Sequence, residues 1–317
     1  MHGLHLHRGD GAASACAPTL EILVDDPKKS HRVNGLRCRI HEGALLPGSL
    51  CRIPNAEIYV ASPELCFLQA CNGPSLLPKV ELGLELCGHY VRSDLINPAA
   101  AGPDGPGGAP TRPDAGCEGR PPLTSTRRLR AYLIGAHELH GVRPSRRALR
   151  WVLDGARSPR ESALHLALDL PARLGGYGLG TPVLNYPICV GAADAPAPAI
   201  AREGEVCFGD LAYVREGVVA EYDGFASHGG QRLDTGEDVF DARKVCDDKD
   251  RWSRIQAAGW KMVVFFRRDM ASHQRFARKA HQLASCLGKS IGDESAEAWR
   301  RRVELQRWLF NPRRTQV

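Results

Sequence analysis

No stretch of this 317-residue chain approaches the roughly 18 consecutive apolar residues of a membrane span. Nor does the opening Met1-His-Gly-Leu-His-Leu-His-Arg8 contain the apolar centre of a secretory leader. Together the two absences predict a cytoplasmic protein with no membrane partner. The chain also lacks any C-x-x-C pair. Its eleven cysteines are odd in number and irregularly spaced, which excludes the usual zinc and dithiol-redox signatures. Those in apolar runs, Cys66 and Cys189 among them, read as reduced thiols serving as small hydrophobes. Two other motifs fail on spacing. His137-Glu-Leu-His140 sets its histidines three apart, whereas a zinc-protease helix needs them at i and i+4. Gly175–Gly180 feeds a strand rather than a helix N-terminus, so it is not a phosphate loop.

What is present is ordinary globular material, 43% hydrophobic and 25% charged, in a chain long enough for about two domains. The net charge of +6 permits a polyanionic partner. Basic residues gather along Arg127–Arg173 and again from Lys249 to Arg314. Such clusters gain affinity for a phosphate backbone through counterion release, and they also describe solvated helix faces.

Residues 1–98 read as a small mixed α+β domain. Asn34-Gly35 between alternating segments of Ser30–Ile40 predicts a hairpin. A short helix is predicted after Ser62, with Pro63 at its first position and Asn72-Gly73 as its stop. A second is predicted within Ser75–Tyr90. Residues 99–126, rich in Ala, Gly and Pro, bury too little apolar surface to offset ordering entropy and read as a disordered linker. Residues 127–157 form a helical connector broken at Gly141 and Pro144. From 158 to 270 the pattern is helix (Pro159 to about Leu170), three strands (Val183–Val190, Phe208–Val214, Val218–Tyr222), helix (about Glu237–Ala258) and strand (Trp260–Phe266). Val245, Trp252 and Ile255 share one face of the long helix, and Gly259 ends it. Two further helices fill residues 271–317.

The strands carry the chemistry. Asp210 lies on the second, and Glu221 and Asp223 close the third, although acidic residues are depleted in strands and carboxylates close together repel. With Glu216-Gly217 as a two-residue turn, antiparallel pairing sets Asp210 opposite Asp223 and Ala212 opposite Glu221. Asp210 and Glu221 are then diagonal neighbours on one face, about 7–8 Å apart at the backbone. That spacing suits a shared hard cation with oxygen ligands. Glu161 reads in two ways: as the last member of the capping box Ser158-x-x-Glu161, or as an acid serving the site. Asp210 reads as a ligand or a salt-bridged strand end, and Glu221 and Asp223 as site residues or a strand terminus before a turn.

The text Ser158-Pro-Arg-Glu-Ser162, Gly209-Asp-Leu211, Ala220-Glu-Tyr-Asp-Gly224 and Asp250-Arg251 through Ala258-Gly-Trp260 resembles the PD-(D/E)xK nuclease superfamily, in its very-short-patch-repair endonuclease branch. The resemblance covers residues 158–270, about a third of the chain. It implies an α/β fold with a restriction-endonuclease-like core behind the small N-terminal domain. Residues 45–90 resemble, faintly, AbiEi-type abortive-infection antitoxins, which implies a protein partner for that domain. By the resemblance Asp210 and Glu221 hold Mg²⁺ or Mn²⁺, Glu161 is an accessory acid, and the product is a cleaved or nicked DNA phosphodiester. Lys244, Lys249, Arg251 and Arg254 on the long helix would contact the DNA backbone. The superfamily lysine, two residues after Glu221, is Asp223 here. The branch histidine, three residues after the glycine, is displaced by one to His228, a residue with the ordinary pKa of a proton acceptor. These departures set a second expectation beside the first: a catalytically silent nuclease fold that binds DNA or protein in an antitoxin-like regulatory system.

Overall fold

The computed structural model describes residues 20–30, 35–41, 44–70, 75–92, 117–190, 206–223, 242–292 and 294–310, with the backbone alone for 242–245. His228 lies outside them. The hairpin expected around Asn34-Gly35 falls in part on residues 31–34, outside those described. β1 (Leu20–Val24) and β2 (Leu36–Ile40) pair in parallel, from Leu20 beside Leu36 to Val24 beside Ile40. After β1, Asp26 caps one 3-10 turn over Pro27–Lys29, accepting from the Lys28 N–H. β3 (Leu50–Arg52) and β4 (Tyr59–Ala61) form a short antiparallel pair. α1 (Pro63–Gln69) begins as the sequence predicts, with Ser62 Oγ accepting from the Leu65 N–H. α2 (Leu77–Leu86) follows.

β5 (Tyr90–Arg92) pairs antiparallel with β6 (Cys117–Gly119). This corrects the linker expectation for residues 117–126. Composition counts side chains only, whereas this segment is held through its backbone: the Leu86 carbonyl accepts from the N–H groups of both Leu123 and Thr124. α3 (Thr126–Gly135) and α4 (Val142–Leu149) are the two pieces of the connector, parted at Gly141, whose φ of 89° favours glycine. Leu65, Phe67, Leu84, Leu129, Leu133 and Ala148 from these helices share one core.

α5 (Pro159–Asp169) is buried along its length from Glu161 to Asp169. Leu166 and the following Leu170 enter the N-terminal core, while Leu164, Ala167 and Leu168 enter a second one. A helix serving two cores has no solvent face, which is why its sequence shows no polar stripe. The second core lies under a four-stranded sheet. Its strands are β7 (Val183–Cys189), β8 (Val206–Tyr213), β9 (Val218–Asp223) and, after α6 (Ala242–Ala257), β10 (Lys261–Phe266). The order is β10-β9-β8-β7; β7, β8 and β9 are antiparallel, and β10 returns parallel to β9, as a crossover through a helix allows. A short α7 (Arg267–Met270), then α8 (His273–Cys286) and α9 (Ala296–Phe310), complete the fold.

Helices cover both faces. On one, Phe276 of α8 packs its ring 5.4–5.7 Å from those of Tyr177, Phe265 and Phe310, within the core that holds Leu164. On the other, Ile255 of α6 packs with Ile188, Ala212 and Val219. The fold is mixed α/β. No helix among the described residues is long and apolar enough to cross a membrane.

Candidate functional site

The β8–β9 connection takes four residues, Val214–Gly217, rather than two. Tyr213 pairs with Val218, Ala212 with Val219 and Leu211 with Ala220. Gly217 adopts a φ of 61°, and the turn closes through Glu216 N–H to the Tyr213 carbonyl. The register is therefore displaced by two from the expected one. An even displacement keeps every side chain on its face. Asp210 comes to stand across from Glu221 itself, not Asp223, and the two are direct neighbours.

At this pair the strands stop exchanging backbone hydrogen bonds and the carboxylates take over. The Asp210 N–H donates to Glu221 Oε1 at 3.2 Å, and the Tyr222 N–H donates to Asp210 Oδ2 at 2.8 Å. A matching break occurs on the other side of β8. Leu184 pairs with Leu211 and Tyr186 with Gly209, which leaves Asn185, at a φ of 49°, facing Asp210. Asparagine tolerates this left-handed conformation better than most residues. Its effect is visible in the packing: Leu184 and Leu211 face the α5 side, whereas Ile188 and Cys207 face α6. Residues four apart on a regular strand share a face, so β7 and β8 turn over together at Asn185 and Asp210.

Asn185 also joins the third acid. Its amide donates to Glu161 Oε2 at 2.7 Å and to the Gly155 carbonyl at 2.9 Å. Glu161 Oε2 accepts in addition from the Arg157 N–H, and its Oε1 accepts from Ser158 Oγ at 3.0 Å. Ser158 Oγ in turn accepts from the Glu161 N–H. Glu161 thus caps α5 and lines the pocket at once. Glu221, 1% exposed, is held by Arg251 of α6, whose guanidinium donates to Glu221 Oε2 and to the Phe208 carbonyl, both at 2.7 Å.

Electrostatics follow from this crowding. Burial, then the charges of Glu221 and Glu161, hold the Asp210 carboxyl well above its ordinary range. Burial also raises Glu161 against the hydrogen bonds it accepts, and raises Glu221 against the pull of Arg251. An open pocket of about 730 Å³ adjoins the cluster. Asp210, Glu161, Asn185, Asp250, Arg251 and Arg254 are among its walls, and Phe208 forms a rim with the Arg157 guanidinium 4.7 Å above its ring.

The expected residues divide as follows. Asp210 and Glu221 face each other, and Glu161 lies near enough for its charge to act on both. Asp223 does not join them: it sits beside Phe266 in the parallel ladder and is not a wall of the pocket. Arg251 pairs with Glu221 and at the same time lines the pocket. Arg254 lines the pocket, and Lys249 is exposed outside it. Lys244 has only its backbone described. Sequence reasoning missed Asn185 and Arg157. A polar Asn between Leu184 and Tyr186 in an otherwise apolar run was the available signal for the first.

The donor set fits a hard divalent ion. The carboxylates at the cluster offer oxygens only, and their negative charge exceeds what Arg251 alone offsets. Among the described residues no three His, Cys, Asp or Glu side chains stand together as a ready cage. An ion here would therefore draw on Asp210 and Glu221 and take its other oxygens from water or substrate. The chain matches no protein-family model, no curated protein and no solved structure.

Proposed function

We propose that this protein is a Mg²⁺- or Mn²⁺-dependent DNA endonuclease or nickase with a restriction-endonuclease-like core. One observation carries the reading: Asp210 and Glu221 face each other where β8 and β9 part, each accepting an N–H from the opposite strand. The order α5, three antiparallel strands, α6 and a parallel β10 supports it. Asp210 and Glu221 would hold the ion, which when bound supplies Lewis-acid polarisation of a phosphate oxygen and a more acidic water. The rest falls to the chain. Arg251 fixes the Glu221 carboxylate and brings positive charge to the cluster, which otherwise lacks the lysine of the resembled family. The Tyr222 N–H fixes Asp210. Glu161, locked by Ser158 and Asn185, keeps further negative charge against Asp210 and so favours a cation over an empty site. Arg157 and Arg254, which line the pocket, would meet phosphates of the bound DNA.

Conversion of supercoiled plasmid to nicked or linear DNA tests this. Cleavage should require Mg²⁺ or Mn²⁺ and fall at least about a hundredfold in Asp210→Ala and Glu221→Ala with folding intact. Absence of cleavage with either ion, or equal cleavage by all three proteins, would overturn it. The second reading, a silent DNA- or protein-binding module, is favoured by the Arg251–Glu221 ion pair, which already places a cation against Glu221. Duplex binding indifferent to both the ion and Asp210→Ala, with no cleavage, would select that reading.

A further inference from the structure

Another basic region lies on α3 and α4, apart from the carboxylate pocket. α4 buries Val142, Ser145, Ala148 and Leu149. Its arginines 143, 146, 147 and 150 fall at i, i+3, i+4 and i+7 on the opposite side, all exposed. α3 adds exposed Arg127, Arg128 and Arg130. Neither helix contains an acidic residue. Two of the seven have structural work: Arg128 pairs with Glu64 at 3.1 Å, and Arg146 donates to the Leu133 carbonyl at 2.9 Å. Among the described residues, none of the other five makes an ion pair with a carboxylate.

Helix stability does not account for this placement. Arg146 and Arg147, in the last turn of α4, are favourable there. Arg127 and Arg128, however, sit in the first turn of α3, and Arg143 in the first turn of α4, where a positive charge opposes the helix dipole. The five arginines therefore form a cationic surface with no ion-pair partner among the described residues. A groove of about 250 Å³ runs between the helices, walled by Arg130, Ile134, Arg146 and Arg150, with Ile134 64% exposed at its lip.

Guanidinium groups in such an array match phosphate oxygens, which they bind bidentately. Single strands are usually gripped through aromatic platforms. Neither helix exposes an aromatic ring; Tyr132 is half-buried and its hydroxyl is hydrogen-bonded to Ser49 Oγ at 2.7 Å. We infer that the α3–α4 face binds the phosphate backbone of duplex DNA, as a contact separate from the carboxylate pocket and independent of whether that pocket is hydrolytic.

The test is anisotropy of a labelled duplex titrated with full-length protein in EDTA, over a series of salt concentrations. Wild type is compared with Arg143→Glu/Arg147→Glu, Arg130→Glu, Arg143→Lys/Arg147→Lys and Asp210→Ala. The double Glu variant should weaken binding at least about tenfold and make the slope of log K against log salt shallower by about two. Arg130→Glu, on the other helix, should shift both in the same direction. The Lys variant should stay within a few fold of wild type, and Asp210→Ala should bind no more weakly than wild type. Circular dichroism checks that each is folded. Wild-type affinity and slope in both Glu variants would overturn the inference. So would single-stranded DNA or polyglutamate binding as tightly as duplex through the same arginines. Loss of cleavage in Asp210→Ala with duplex binding retained bears on the pocket and leaves this face standing.

Discussion

In its first turn α5 brings Glu161 to Asp210 and Glu221; one and two turns later it brings His165 and Asp169 together as another buried polar cluster. The His165 Nε2–H donates to the Trp151 carbonyl at 3.0 Å, and Asp169 accepts from Thr181 Oγ1 at 3.0 Å. His165 Nδ1 lies 3.9 Å from Asp169 Oδ2. Burial lowers the His165 pKa and raises that of Asp169, so titration alone does not separate the two clusters. Two features do. Asp169 meets one histidine, whereas Asp210 meets two further carboxylates; and Asp210 and Glu161 are walls of an open pocket, whereas His165 and Asp169 are not. Buried titratable groups mark a site when like charges accumulate beside a cavity, and otherwise bind one part of the fold to another.

This contrast is open to direct attack. The largest effect should come from Arg251→Ala, which leaves Glu221 buried without its cation and should cost about 3 kcal/mol in urea unfolding at neutral pH. Adding Glu221→Gln should recover much of the loss, and failure to recover it would mean that Arg251 acts through packing. Next is Asp210→Asn, expected to stabilise the protein by about 1–2 kcal/mol at neutral pH by relieving like-charge crowding. The sign follows from linkage. A carboxyl whose folded pKa is raised contributes stability fully present below its ordinary pKa and lost as pH rises through the folded value. Wild type should therefore lose stability over that interval, and Asp210→Asn should flatten the decline. In the closed cluster the outcome is reversed. Thr181→Val removes the donor to Asp169 and should cost about 1 kcal/mol, with no gain at any pH. Smallest is Ser158→Ala, which removes the α5 cap and one donor to Glu161, at about 1 kcal/mol or less. Stabilisation by Thr181→Val, or destabilisation by Asp210→Asn, would erase the distinction.

Much of the fold was legible where local rules act alone. Ser62-Pro63 and Ser158-Pro159 announced their helices, and apolar runs announced β7 to β10. The acids Asp210 and Glu221 were legible because carboxylates at neighbouring strand positions have little structural use. What escaped is decided at longer range. Strand direction is not written in either partner, so the Asn34-Gly35 signal gave no hint of the parallel pairing of β1 with β2. The turn after Tyr213 uses four residues although Glu216-Gly217 alone suits a shorter one. The basic residues of α6 look equivalent in sequence; only the packing of that helix turns Arg251 inward to Glu221.

In the proposed function Asp210 and Glu221 form one divalent-cation site. Titration calorimetry of Mn²⁺ into the full-length protein tests it without any substrate. One site per chain is expected in wild type, lost in Asp210→Ala and in Glu221→Ala, with folding preserved in both. Absence of binding to wild type, or binding unchanged by either substitution, would contradict it.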